Sequence, residues 1–163
     1  MCMNCKVKHE LAPIYNEESE VLILGSMPSV KSREVGFYYG HPKNRFWHVL
    51  EKVFNESIID KKEFLLKHHL ALWDVLASCE IKASSDASIK NAKPNDLEKI
   101  ISKSKIKAIF TTGKTAYKYY IKFFEDKFDI PIFCLPSTSP ANAKVSEKEL
   151  VESYKIIKEY LNK

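Results

Sequence analysis

The chain has 163 residues, 45% of them hydrophobic and 29% charged, which suffices for one substantial core and excludes the composition of a disordered protein. No apolar run approaches the roughly 20 residues of a membrane helix, and the opening MCMNCKVKHE lacks the apolar centre of a secretory signal, so a soluble, cytoplasmic, monomeric single domain over residues 1–163 is expected, with no membrane partner. The formal net charge of +5 comes from lysines scattered along the chain, a weak pointer to a polyanionic partner that a Lys-rich composition explains as well.

In chain order, the first strong element is the apolar, β-branched run VLILG from Val21, which predicts a buried strand. Similar runs follow: LALWDV from Leu70, IKAIFTT from Ile106 and IPIFCL from Ile130. Strands that are apolar on both faces belong to a parallel sheet. Helical spacing lies between them, at about Pro42–Phe54, Asp60–His68, Pro94–Ser104 and Lys114–Phe128. The stretch from Glu80 to Asn95 reads as a surface loop. From Ser146 a capping box, Ser-Glu-Lys-Glu, opens a final amphipathic helix carrying Leu150, Val151, Tyr154, Ile157, Tyr160 and Leu161. The order is that of an α/β protein: a three-layer α/β/α sandwich around a short, mostly parallel, four-stranded sheet.

Several chemistries are excluded by spacing. Gly113-Lys114-Thr115 follows a strand, but a phosphate loop needs a glycine where Ala108 stands. No GxSxG elbow is present, and Cys79 has no electropositive neighbour in the sequence. His68 and His69 join a helix to a strand without a third ligand nearby. Cys2 and Cys5 form one CxxC pair, while Cys79 and Cys134 sit in or beside apolar runs, so neither a metal nor any other cofactor is expected.

In an open parallel sheet ligands bind beyond the carboxyl ends of the strands, and two loops there stand out. GSMPSVKSREVGFYYGHPKNRFW, Gly25 to Trp47, gathers Gly, Pro, several rings, His and Asn directly after the first strand. PSTSPANA, Pro136 to Ala143, follows the last. Rings beside polar groups suit a pocket for a flat ring; small and hydroxyl residues suit close backbone approach.

Taken together, GSMPS, FYYGHPKNRFWHVL, LWDVLASC, DASIKNAKPND and PSTSPANA resemble the uracil-DNA glycosylase superfamily, and most nearly its hypoxanthine-DNA glycosylase (deoxyinosine glycosylase) branch. The resemblance implies a monofunctional glycosylase of base excision repair. It acts on DNA containing deaminated bases, hypoxanthine favoured, and hands the abasic site indirectly to a downstream endonuclease. Where uracil-excising relatives carry a water-directing carboxylate or amide, this chain has Met27, whose thioether cannot orient water. The resemblance moves that role to Asn44, whose amide carbonyl would accept a hydrogen bond from the water. His41 or a loop N–H would donate to the departing base. Gly25, Ser26, Met27 and Pro28 would line the base pocket, with Tyr39 stacking and Phe46 in support. Ser137, Thr138, Ser139, Pro140 and Asn142 would form the loop that meets the minor groove, their hydroxyls donating to phosphates. Ser29 and Lys31, with Ser32 and Lys144, would add phosphate contacts. Two alternatives stand beside this reading: a catalytically inactive nucleic-acid-binding module on the same fold, and a uracil or mismatch-specific glycosylase carrying a cluster on Cys2 and Cys5.

Overall fold

The computed structural model describes residues 5–8, 11–27, 30–81 and 89–161, with residues 5–8, 30, 31 and 81 given by their backbone. Four strands, β2 (Val21–Gly25), β3 (Leu70–Asp74), β6 (Ala108–Thr112) and β7 (Ile132–Leu135), form a wholly parallel sheet in the order β3-β2-β6-β7. All residues of β2 and β3 are buried, which is why their sequences are apolar without alternation. Ile14 bridges Leu72 and covers the outer edge of β3.

The helices are α1 (Val30–Val35), α2 (Phe46–Phe54), α3 (Lys61–Lys67), α4 (Glu98–Ile101), α5 (Lys114–Phe124), α6 (Glu147–Tyr154) and α7 (Ile156–Glu159). The chain leaves β2 toward β3 on one side and then returns past β2 to β6 and β7 on the other. Right-handed crossovers running in opposite directions put their helices on opposite faces. Consistent with this, α2 packs on α6, and Phe54 at the end of α2 meets Phe64 of α3 edge-on at 5.5 Å. Across the sheet, Tyr120 and Phe124 of α5 are buried. The α/β class and the parallel four-stranded sheet expected from the apolar runs are both present.

Three differences have clear causes. The segment expected as a loop from Glu80 to Asn95 is paired at both of its described ends, its middle, 82–88, lying outside the described residues: β4 (Leu76–Ile81) and β5 (Lys90–Pro94) make an antiparallel pair, and β1 (Cys5–Lys8) joins the far side of β4 as a second sheet. Pairing rather than apolar content makes these strands, since β5 is the exposed sequence KNAKP. The helix expected from Pro94 shrinks to α4, because Pro94 ends β5 and buried Asn95 spends its side chain on the carbonyls of Asp74 and Leu76. The helix expected from Pro42 starts at Phe46, because residues 41–44 are a turn closed by Asn44 N–H on His41 O at 2.9 Å. The capping box on α6 is present, Ser146 Oγ accepting from Glu149 N at 3.1 Å and Glu149 Oε1 from Ser146 N at 3.3 Å. The final helix breaks at Lys155 into α6 and α7.

Candidate active site

The strand order reverses between β2 and β6, so their carboxyl ends, Gly25 and Thr112, flank the crevice where such sheets bind ligands. Gly25 is there for space: a Cβ on it would collide with Asp74 Oδ1 and stand 3.2 Å from the Tyr39 hydroxyl. Asp74 ends β3 and is buried. Its carboxylate thus stands at the crevice, beside Gly25.

The rings of the first loop form one stack. Tyr39, with backbone φ of 53°, lies parallel to Phe46 with ring centroids 3.9 Å apart and planes 14° apart. Its hydroxyl lies 2.9 Å from Thr112 Oγ1, which ties the loop to the end of β6. Burial, and then the negative charge of Asp74, push the Tyr39 phenol well above its ordinary range. The Tyr38 phenol is raised by the same two causes in the same order, and its hydroxyl donates to Ala12 O at 2.8 Å. Trp47 donates its indole N–H to Tyr38 O at 3.0 Å. Trp47 is therefore a support of the loop, and Phe46, fully buried with Tyr39 on its face, cannot itself meet a base.

Asn44 joins the two loops. Its Oδ1 accepts from Phe46 N at 3.0 Å and from Thr138 Oγ1 at 2.8 Å. The Phe46 N–H can only donate, which fixes the amide with its oxygen on that side. Both lone pairs of the oxygen are thus used, and the half of the amide left for another partner is Nδ2. Thr138 is 1% exposed, so its hydroxyl serves Asn44 and not a phosphate, contrary to the expectation for that residue. His41, half-buried, accepts Lys43 N at Nδ1 at 3.0 Å. In its neutral form the ring then carries its proton on Nε2, leaving a donor.

The second loop is held from below. Arg45 donates to the carbonyls of Val145 and Asn142, the latter at 3.0 Å, and its backbone N–H donates to Thr138 O at 3.1 Å. The buried Tyr154 hydroxyl donates to Pro136 O at 2.7 Å. Within the loop, Asn142 Nδ2 donates to Ser137 O at 3.0 Å, so this side chain shapes the loop rather than facing outward. Ser137 Oγ and Ser139 Oγ each accept a backbone N–H, from Ser139 and Ala141, and keep their own protons to donate. Pro140 and Ala141 are the exposed tip.

Ser26 and Met27 are half-buried beside Gly25. Pro28, Ser29 and the side chain of Lys31 lie outside the described residues, as does the Cys2–Cys5 pair at the level of side chains. Ser32 is buried and its Oγ accepts Gly40 N at 2.9 Å, which removes it from the phosphate contacts. Lys144 is exposed. Asp74 and Arg45, which border the crevice and its second loop, carry weak signals in the sequence: a carboxylate ending an apolar strand, and an arginine at the head of a helix. Among the described residues no group of His, Cys, Asp and Glu is placed to hold a metal ion.

The sequence matches the family profile described as the Uracil DNA glycosylase superfamily over residues 12–162. It is 32% identical over 149 residues to a protein of Methanosarcina acetivorans named hypoxanthine DNA glycosylase, covering 86% of this chain and 92% of that one. A protein of the same name from Methanosarcina barkeri is 30% identical over 118 residues, 69% of this chain and 75% of that one. Among solved structures, the fold is similar to a Methanosarcina acetivorans solution structure provisionally described as a uracil DNA glycosylase, with a TM-score of 0.75, 28% identity, and 93% and 98% of the two chains covered. The chain belongs to the uracil DNA glycosylase superfamily.

Proposed function

We propose that this protein is a monofunctional DNA glycosylase that hydrolyses the N-glycosidic bond of deaminated bases, hypoxanthine before uracil and xanthine. The observation that carries the reading is Asn44, held between the Phe46 N–H and the Thr138 hydroxyl at the point where the two crevice loops meet. The names of the two Methanosarcina relatives support the choice of base.

Breaking a base–sugar bond passes through a sugar with oxocarbenium character, which asks for a placed water more than for early removal of its proton. An amide whose oxygen is pinned by two donors has one orientation; its Nδ2–H then donates to one lone pair of the water, the other lone pair attacks the sugar carbon as the base leaves with the bonding electrons, and the proton the water loses ends on that departed base. The Nδ2–H donation replaces the carbonyl-to-water hydrogen bond expected from the sequence, because the amide oxygen is already saturated. The extruded base lies against the face of Tyr39 that Phe46 leaves open, and the His41 Nε2–H donates to the departing ring.

Asp74 explains the substrate class. Hypoxanthine and uracil carry a ring N–H where adenine and cytosine carry a lone pair. A buried carboxylate accepts from the first pair and repels the second, so deamination itself is what the site reads. The rigid tip at Pro140 and Ala141, flanked by the hydroxyls of Ser137 and Ser139, fills the gap left in the duplex.

The test is to incubate end-labelled duplexes carrying hypoxanthine, uracil or xanthine with the protein and cleave abasic sites with alkali. Strand breaks at hypoxanthine, and fewer at the other two, are expected. Breaks at uracil alone would favour the uracil-specific alternative, and binding without breaks the inactive module.

A further inference from the structure

The second sheet takes no part in the site as described above. Its two ladders place Lys6 opposite Glu80 and Glu80 opposite Lys90, then Lys8 opposite Ser78 and Ser78 opposite Lys93. Residues opposite one another across a ladder share a face. Cys79 is buried whereas Ser78 and Glu80 are half-exposed and Lys90 and Lys93 exposed, so Ser78, Glu80, Lys90 and Lys93 belong to the outer face. Among these described side chains two lysines stand against one glutamate, and the Glu80 carboxylate accepts the Asn91 side-chain amide. Among the described residues neither Lys90 nor Lys93 has an ion-pair partner, while Lys105 and Lys107 at the opposite end of the main sheet are paired with Glu18 at 2.8 Å and Glu20 at 3.1 Å.

This hairpin is rooted in the site. Val75 N donates to Gly25 O at 2.8 Å and Leu76 N to Ser26 O at 3.1 Å, so β4 leaves directly from the loop that floors the crevice. The returning strand is fixed to the same place by Asn95, whose backbone N–H donates to Val75 O at 2.8 Å and whose side chain donates to Asp74 O and Leu76 O. Six residues of β4 span roughly 20 Å at ~3.3 Å per residue. That length corresponds to about six phosphates along one strand of a duplex at ~3.4 Å each.

We propose that the outer face of the β4–β5 hairpin is a second phosphate-binding surface, which grips the DNA backbone several nucleotides from the extruded one. The inference rests on the glycosylase reading above for its partner. Uncompensated lysines on an arm whose root is fixed to the floor of the site match a polyanion that must run past that site, and each contact releases counterions from the duplex. Lysines on an edge strand also prevent strand-to-strand association, but that role alone leaves DNA affinity unchanged.

The full-length double variant Lys90→Gln/Lys93→Gln tests this against Lys99→Gln/Lys103→Gln, which removes the same charge from exposed positions outside the hairpin. Duplex affinity is read by anisotropy over about 50–200 mM salt, and excision under single turnover at saturating protein. The hairpin variant is expected to bind about tenfold more weakly and to lower the slope of log K on log salt by about 1.8, for two lost contacts at ~0.9 each. Its saturated excision rate should stay within about twofold of wild type, and the control should match wild type in both. An unchanged salt slope, or an equal change in the control, overturns the proposal. Wild-type protein that binds duplex but excises none of the three bases overturns the glycosylase reading instead, and the salt slopes still decide the hairpin.

Discussion

At the scale of single residues, the site depends on hydrogen-bond donors that have only one acceptor to go to. Thr138 Oγ1 and Phe46 N both spend their proton on Asn44 Oδ1, and in the reaction proposed above an amide fixed in this way needs no reorganisation as the water attacks. Thr138→Val keeps the shape of the buried side chain and removes the donor. Excision under single turnover should fall about tenfold, the loss of one neutral hydrogen bond of ~1–1.5 kcal/mol, while Thr138→Ser should restore most of it. Asp74→Asn tests the reading of the ring N–H: the amide can turn either an acceptor or a donor to the base, so the ratio of hypoxanthine to adenine excision should drop by roughly tenfold or more. An unchanged ratio would take Asp74 out of base recognition. These residues differ in how visible they are in the sequence. Tyr39 and Asn44 stand out because a ring and an amide beside Gly and Pro have no simple packing role, but Thr138 reads as a third hydroxyl in PSTSPANA. Its burial against Asn44, 94 residues away in the chain, is a tertiary fact that no local pattern encodes.

At the scale of elements, helix α2 is the part that connects base pocket and DNA-facing loop. Its first residue, Phe46, backs Tyr39; the residue before it, Arg45, carries the loop from Pro136 to Val145 on its guanidinium and backbone N–H. Arg45→Gln should release that loop. Limited proteolysis is expected to gain a cut near Pro140–Ala141, and duplex affinity to fall about tenfold, since two charge-assisted hydrogen bonds of ~1.5 kcal/mol or more are lost. A variant with the wild-type digestion pattern would show that the loop holds itself. The parallel strands were legible because a strand covered on both faces must be apolar. Strand β5 was not, because KNAKP is an exposed edge whose structure comes from pairing with β4 across register shifts. Helix α1 was hidden likewise inside a loop rich in turn residues.

At the scale of the whole molecule, the two ends of the parallel sheet do different work. The carboxyl end holds the crevice and both loops. At the amino end buried Glu20 takes His69 Nδ1 at 3.0 Å and Lys107 Nζ at 3.1 Å, bracing β2, β3 and β6. The rings that surround the core tie stability to pH at the alkaline end. The Tyr120 phenol is pushed by burial from its ordinary 10.0 up to about 12, and those of Tyr38, Tyr39 and Tyr154 are raised as well. A folded-state pKa above the unfolded one means that the folded form holds the proton more tightly. This stabilisation is complete below pH 10 and is lost as the pH rises from there through about 12. Urea midpoints measured across this range should therefore fall steadily above pH 10. A midpoint that stays flat to pH 12 would mean that the phenols are open to solvent.

One measurement bears on the central claim most directly: the single-turnover rate of hypoxanthine release by Asn44→Ala, taken at saturating protein on the same duplex as wild type. Removal of an oriented polar group from an active site costs about 10²–10³ in rate. A fall of that size is expected, with duplex affinity within about threefold of wild type, because Arg45 and Tyr154 still hold the DNA-facing loop when the Asn44–Thr138 hydrogen bond is lost. A variant that folds, binds and excises at the wild-type rate would contradict the assignment of Asn44.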